Sequence, residues 1–97
     1  MPVGTITKIE DQDFLHGSVS DCRRCPVALA LNRNGYHGAV VTHDIIAYYK
    51  DREEISKPIT KGVRRKIESI DNQNQINPFM IIEREDRFSL YKGKQNA

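Results

Sequence analysis

The sequence predicts a small α+β domain in which two main helices pack on one face of a mainly antiparallel sheet. Its 97 residues leave room for one hydrophobic core, so we expect a single domain over residues 1–92. Short runs rich in Val, Ile and aromatic residues alternate with two segments of helical periodicity. The last runs, FMIIE and FSLYK, flank the turn-like REDR and indicate a β-hairpin. Residues 93–97 are predicted to form a disordered tail.

Local patterns predict the elements of the N-terminal half. TITKI mixes apolar and polar residues as a first strand does. EDQDFLHG opens with acidic residues and closes with Gly17, which is typical of one or two helical turns. A helix is predicted from Cys22 to about Arg33, where the dipeptide NG would end it. GAVVTHDIIAYYKD holds two β-branched clusters, joined either by a turn at HD or within one bulged strand.

The C-terminal half contains the clearest amphipathic helix. Four β-branched residues recur at spacings of four, four and three, which places them on one helical face: Ile59, Val63, Ile67 and Ile70. REEISKP reads as a polar break before this helix, with Ser56 as its N-cap and Pro58 in its first turn. DNQNQINP is predicted to be a polar loop that leads into the hairpin.

The composition is that of a folded globular protein, with 38% hydrophobic and 29% charged residues. The formal net charge of +2 is small for a dedicated nucleic-acid-binding protein. No apolar run approaches the roughly 20 residues of a membrane span, and the N-terminus lacks the pattern of a signal peptide. We therefore expect a cytoplasmic protein without membrane association, whose two cysteines are free thiols or ligands rather than a structural disulfide.

The segment DCRRCPVALAL carries the most distinctive pattern, and its first interpretation is a zinc site. Four candidate ligands are separated along the sequence almost as they are in a zinc finger: Cys22, Cys25, His37 and His43. Four such ligands satisfy tetrahedral Zn²⁺, which is the one cofactor that the sequence suggests. However, the cysteines lead into a helix-like run and the histidines lie in a strand-like one, which is the reverse of a zinc finger.

Two other interpretations of the cysteines remain open. If Pro26 is the first helical residue, Cys25 is the N-cap, and backbone N–H groups would favour a reactive thiolate there. If the helix already includes Cys22, both thiols lie on one helical face with Leu29 and are buried in the core, where free cysteine is common. The start of the helix therefore decides between a reactive and a structural role.

Two segments resemble a family of small uncharacterised proteins encoded by bacteriophages and bacteria. They are HGSVSDCRRCPVALAL and IESIDNQNQINPFMIIE. The family pattern joins a first strand and a glycine turn to a Cys-x-x-Cys-Pro helix and to a late helix followed by Pro-Phe. The matching residues are Ile6, Gly17, Cys22, Cys25, Pro26, Val27, Ala28, Leu29, Ala30, Ile67, Pro78 and Phe79. The resemblance implies a phage or prophage origin, and hence action in the host cytoplasm.

Two further groups of residues are candidates for binding. Five cations near the late helix predict a patch for anions or nucleic acid, although a solvated helix face explains them too: Lys57, Lys61, Arg64, Arg65 and Lys66. Four aromatic residues predict a protein interface: Tyr48, Tyr49, Phe88 and Tyr91. An exposed edge of the C-terminal hairpin would also allow homodimer formation by strand pairing.

The sequence contains no glycine-rich nucleotide loop, no phosphate loop and no nucleophile elbow. We therefore expect a non-catalytic interaction protein that binds a host factor, most simply a host protein. The alternative is a zinc-stabilised or basic module that binds nucleic acid.

Overall fold

Three helices and six strands follow one another in the computed structural model, which describes residues 4–18, 21–73 and 77–92. Their bounds are β1 Ile6–Ile9, α1 Asp11–His16, α2 Pro26–Arg33, β2 His37–Val41, β3 Ile45–Lys50, β4 Glu53–Pro58, α3 Lys61–Asp71, β5 Phe79–Glu83 and β6 Phe88–Tyr91. These elements confirm the predicted α+β class. The predicted disordered tail, residues 93–97, lies outside the described residues.

The strands form two three-stranded antiparallel sheets, where the sequence predicted one. One sheet has the order β1-β5-β6, so the first strand pairs with a strand from the far end of the chain. The other is the meander β2-β3-β4, whose first turn falls at the predicted HD pair. The two sheets meet at a parallel bridge between Ile59 and Phe88, where the N–H of Thr60 donates to the Phe88 carbonyl at 3.1 Å.

Strand β4 occupies the segment predicted as a polar break, so that prediction was wrong. It pairs with β3 along its whole length, from Lys50 opposite Glu53 onwards. The connecting turn holds Asp51 and Arg52 with φ of 51° and 69°, the conformation of a tight two-residue hairpin. Ile55 is the only large aliphatic residue of the strand, and most of its other residues are exposed. Backbone pairing with β3 forms this strand, and a hydrophobic pattern cannot reveal such pairing.

The late helix begins later than predicted. Its N-cap is Thr60, whose hydroxyl accepts the N–H of Val63 at 3.4 Å. Ser56 and Pro58, predicted at the start of the helix, belong to β4, and Ile59 makes the bridge to β6. The rest of the predicted apolar face is buried as expected: Val63, Ile67 and Ile70.

Helix α2 packs against β1 of one sheet and β2 of the other. Residues at its C-terminal end occupy the outer edges of these two strands. The side-chain amide of Asn34 donates to the Ile6 carbonyl at 3.1 Å, on the open side of β1. On β2, the N–H of Ala39 donates to Asn32 Oδ1 at 3.0 Å. A free strand edge is a template for pairing with another chain. Because these edges are occupied and the start of β6 is bridged to Ile59, the predicted strand-edge homodimer would have to use β4 or the rest of β6.

A buried carboxylate joins the two sheets. Glu83, at the end of β5, is 1% exposed. It accepts hydrogen bonds from the hydroxyl of Tyr36 at 2.8 Å and from the hydroxyl of Tyr48, which belong to the other half of the fold. The Nζ of Lys57 on β4 lies 2.7 Å from the same carboxylate. Both charges of this pair thus have partners, as buried charges require.

Stability is expected to fall at alkaline pH because of these two tyrosines. Burial, assisted by the hydrogen bond and charge of Glu83, raises the pKa of both Tyr36 and Tyr48. The unfolded chain loses these protons near pH 10, whereas the folded protein keeps them, so each tyrosine lowers the free energy of unfolding by up to about 1.4 kcal/mol per pH unit above about pH 10. Burial also raises the pKa of Cys25, which acts in the same direction from about pH 8.5.

Urea titrations between about pH 7 and pH 11 measure this decline. The variant Tyr48→Phe lacks one of the two protons, so its stability should fall less steeply above about pH 10 than that of the wild type. Equal slopes for the two proteins would contradict the assignment.

None of the helices within residues 4–18, 21–73 and 77–92 is long and apolar enough to cross a membrane. The longest, α3, has 11 residues, about half of the roughly 20 that a span requires.

Candidate functional site

A cavity of about 290 Å³ lies where the turn before α2, the end of β2 and the buried face of α3 meet. Its apolar walls come from three elements: Val27, Val41, Ile67 and Ile70. Its described lining includes no lysine or arginine, and its polar residues are Asp21, Cys22, Cys25, Thr42, His43 and Asp71. Apolar walls with a few convergent polar groups are typical of ligand-binding pockets.

The two cysteines enter this cavity from a turn that precedes α2. The carbonyl of Asp21 accepts the N–H of Cys25 at 2.8 Å, and Pro26 is the first residue of the helix. The carbonyl of Cys22 accepts the N–H of Val41 at 2.9 Å, which ties the turn to the end of β2. The helix therefore starts four residues after the predicted Cys22, because proline suits the first helical position and Cys25 suits the cap.

Cys25 combines features of two of the sequence interpretations. Its Sγ caps α2 by accepting the N–H of Ala28 at 3.4 Å, as the reactive-thiol interpretation requires. It is only 6% exposed, and this burial raises its pKa, although the N–H groups of Ala28 and Val27 partly offset the effect. Cys22 is exposed, so the predicted burial of both thiols is wrong for Cys22. The cavity thus contains one accessible and one shielded thiol.

His43 lies at the mouth of the cavity and is held from two sides. Its Nε2 lies 2.6 Å from Oδ2 of Asp71, and because a carboxylate only accepts, the ring nitrogen donates. The Nε of Arg64 donates to the His43 carbonyl at 2.8 Å, and Nη2 of the same arginine contacts Asp44 at 3.0 Å. These contacts fix the turn between β2 and β3 against α3.

The structure brings together three of the four predicted zinc ligands. Cys22, Cys25 and His43 line the cavity, whereas His37 lies at the other end of β2, opposite Tyr49. Within the described ranges, no group of three or more His, Cys, Asp or Glu side chains is arranged to hold a metal ion. The predicted four-residue set is therefore corrected for His37, because His37 begins β2 whereas His43 follows the end of this strand.

The five predicted cations do not form one surface. Lys57 lies on β4, not on the late helix, and its Nζ contacts the buried glutamate and the Arg84 carbonyl. The Nζ of Lys66 sits 5.6 Å from the centre of the aromatic ring that begins β5. Arg64 holds the His43 turn, which leaves Lys61 and Arg65 as exposed cations on α3. This arrangement favours a solvated helix face over a phosphate-binding groove.

The predicted aromatic interface is corrected for two of its residues. Tyr48 and Phe88 are 2% and 1% exposed, because their rings pack edge to face in the core. Tyr49 is 49% exposed and Tyr91 is partly buried. Successive strand residues face opposite sides, so only one of the adjacent tyrosines could remain at the surface.

Sequence reasoning missed both carboxylates of the cavity. Asp71 directly follows Ile70, the last residue of the apolar face of α3, and this position was a signal that it lies near the core boundary. Its partner His43 is 28 residues away on another element, so the pair required the tertiary fold. Asp21 directly precedes Cys22, and its place in the cavity follows from the turn that its carbonyl forms.

Comparisons of the chain with protein-family models, with curated proteins and with solved structures find no match. The resemblance of the Cys-x-x-Cys-Pro segment to small phage and bacterial proteins therefore stays a prediction from the sequence.

Proposed function

We propose that the chain is a non-catalytic binding module of phage or prophage origin that captures a segment of a host protein. The cavity beside α2 and α3 carries this proposal, because it combines an apolar interior with polar groups at its mouth. Burial raises the pKa of Cys25, which lowers its thiolate fraction at neutral pH and slows any reaction that needs Cys25 as the nucleophile.

The size of the cavity fits one large side chain. Its volume of about 290 Å³ corresponds to roughly ten water molecules at about 30 Å³ each. An engineered apolar cavity of about 150 Å³ in another protein binds benzene, so an aromatic ring or a large aliphatic side chain fits here with space to spare. The volume falls just below the roughly 300–1,000 Å³ of drug-sized and cofactor sites. A single anchoring residue of a protein segment matches it better.

The charges at the mouth indicate what flanks this anchor. Asp21 and Asp71 are the two acidic residues of the lining, Asp71 in contact with His43, and the described lining has no basic side chain other than His43. A positive residue next to the anchor would complement this charge and favour the correct partner. The proposed occupant is therefore a segment with an aromatic or large aliphatic residue beside lysine or arginine.

Selection of a displayed random-peptide library on the immobilised protein tests this proposal. The enriched peptides should share a large apolar residue next to a basic one, and exchange of that basic residue for glutamate should weaken binding at least tenfold. Alkylation of the exposed Cys22 with iodoacetamide places a group in the cavity and should also weaken binding at least tenfold.

Matched variants separate the cavity from the remaining surface. Cys22→Ser treated with the same reagent should keep its affinity, because the site of alkylation is gone. His43→Ala should bind more weakly than His37→Ala, since only His43 lines the cavity. The proposal fails if no peptide is enriched over an unrelated domain, or if the selected peptides bind the alkylated and untreated proteins equally.

A further inference from the structure

We infer that Cys22 and Cys25 form a reversible dithiol–disulfide pair that exchanges with low-molecular-weight disulfides such as glutathione disulfide. The inference concerns the chemistry of the two thiols themselves, and it holds whether or not the cavity captures a protein segment. It rests on three features: the geometry of the turn, the unequal exposure of the two thiols, and the open space beside them.

The turn brings the two cysteines close together. The carbonyl of Asp21 accepts the N–H groups of both Arg24 and Cys25, at 3.1 and 2.8 Å, so the chain makes one helical turn between the cysteines. Side chains three residues apart on such a turn have Cβ atoms about 5–6 Å apart. A disulfide needs about 3.5–4.5 Å between Cβ atoms, so a small rotation of the turn suffices. Cys22 is also among the groups that raise the pKa of Cys25, as neighbouring thiols do.

The two thiols have unequal access to solvent, as an attacking and a resolving cysteine would. Cys22 is exposed and can meet a small disulfide directly. Cys25 is 6% exposed and fixed at the N-cap of α2, where its sulfur faces the Ala28 N–H. Both cysteines line the same cavity, so there is open space beside Cys22 for a small disulfide reagent.

The exchange takes two balanced steps. The thiolate of Cys22 attacks one sulfur of glutathione disulfide, which forms a protein–glutathione disulfide and releases one glutathione thiolate that takes up the proton lost by Cys22. The thiolate of Cys25 then attacks Cys22 Sγ, which forms the internal disulfide and releases the second glutathione with the second proton. The protein loses two electrons and glutathione disulfide gains them. Because burial raises the pKa of Cys25, the second step should accelerate with rising pH.

Oxidation of the full-length protein in glutathione buffers tests the inference. Three proteins are incubated with a chelator and glutathione disulfide: wild type, Cys22→Ser and Cys25→Ser. Each reaction is quenched with acid, free thiols are alkylated, and the masses of the products are measured by mass spectrometry. Wild type should lose both alkylatable thiols without carrying glutathione. Cys25→Ser should stop with one bound glutathione, and Cys22→Ser should react at least tenfold more slowly than Cys25→Ser because its remaining thiol is buried.

A second measurement uses only the wild-type chain and so does not depend on folding of the variants. The equilibrium between dithiol and internal disulfide is measured in the same glutathione buffers with and without denaturing urea. The folded protein should form the disulfide at least tenfold more favourably than the unfolded chain. The inference is overturned if the folded wild type accumulates glutathione adducts, or if folding disfavours the internal disulfide. Serine at position 25 retains an oxygen that can cap α2, so we expect Cys25→Ser to preserve the start of this helix.

Discussion

Replacing Glu83 with glutamine is expected to lower the free energy of unfolding by about 3 kcal/mol. The glutamine keeps the shape of the side chain, but its single carbonyl oxygen can accept at only one of the two positions that now accept from Tyr36 and Tyr48. It removes the negative charge that lies 2.7 Å from Nζ of Lys57, whose side chain is only 14% exposed. A buried ammonium without its counter-charge destabilises the folded state strongly. For a domain whose total stability is about 5–15 kcal/mol, this is a large loss.

Urea unfolding of a matched pair measures this effect. Glu85→Gln makes the same chemical change two residues later, where the side chain is exposed, and should change stability by no more than about 0.5 kcal/mol. The double variant Lys57→Met/Glu83→Gln removes both charges and should recover part of the loss. If Glu83→Gln costs no more than Glu85→Gln, the buried pair does not stabilise the fold.

The buried network shows which part of the fold could not be predicted from sequence. FMIIE was correctly predicted as a strand, since its apolar run is a local property. Nothing local distinguishes its final glutamate from a solvent-exposed one. Glu83 is buried because β5 pairs with β1 and places this side chain in contact with the other sheet. There it contacts Tyr48 on β3 and Lys57 on β4. A charge that looks solvated along the sequence is thus buried by contacts between distant elements.

The same distinction applies to the cavity. The cap by Cys25 at the start of α2 was one of two alternatives that the sequence left open, because a cap followed by proline is a pattern of adjacent residues. The approach of His43 to Asp71 could not be predicted, because it depends on how a turn between strands packs against the end of α3. The zinc hypothesis included His37 because spacing along the sequence ignores the direction of β2, which carries His37 away from the cysteines.

Replacing Gly17 with alanine is expected to lower the free energy of unfolding by about 2–3 kcal/mol. A Cβ at this position would lie 2.7 Å from both N and Cδ of Pro26 and 2.8 Å from the Asp13 carbonyl oxygen. These neighbours are backbone or ring atoms, so none can move aside without shifting a helix. The φ of Gly17 is −78°, which alanine adopts freely, so the loss comes from crowding alone. The close approach of α1 to the start of α2 therefore requires glycine.

Gly62→Ala is the matched control, because the same added methyl group meets a different neighbour. Its nearest contact would be Cδ1 of Leu90 at 2.9 Å, the end of a flexible side chain. Alanine also favours the helix by up to about 1 kcal/mol over glycine, so the two effects should nearly cancel in urea unfolding.

Because Pro26 directly follows Cys25, crowding at Gly17 should also loosen the cap of α2 and raise the alkylation rate of Cys25, measured in the Cys22→Ser background. Gly62→Ala should leave that rate unchanged, and equal alkylation of both variants would contradict the proposed link between Gly17 and the shielded thiol.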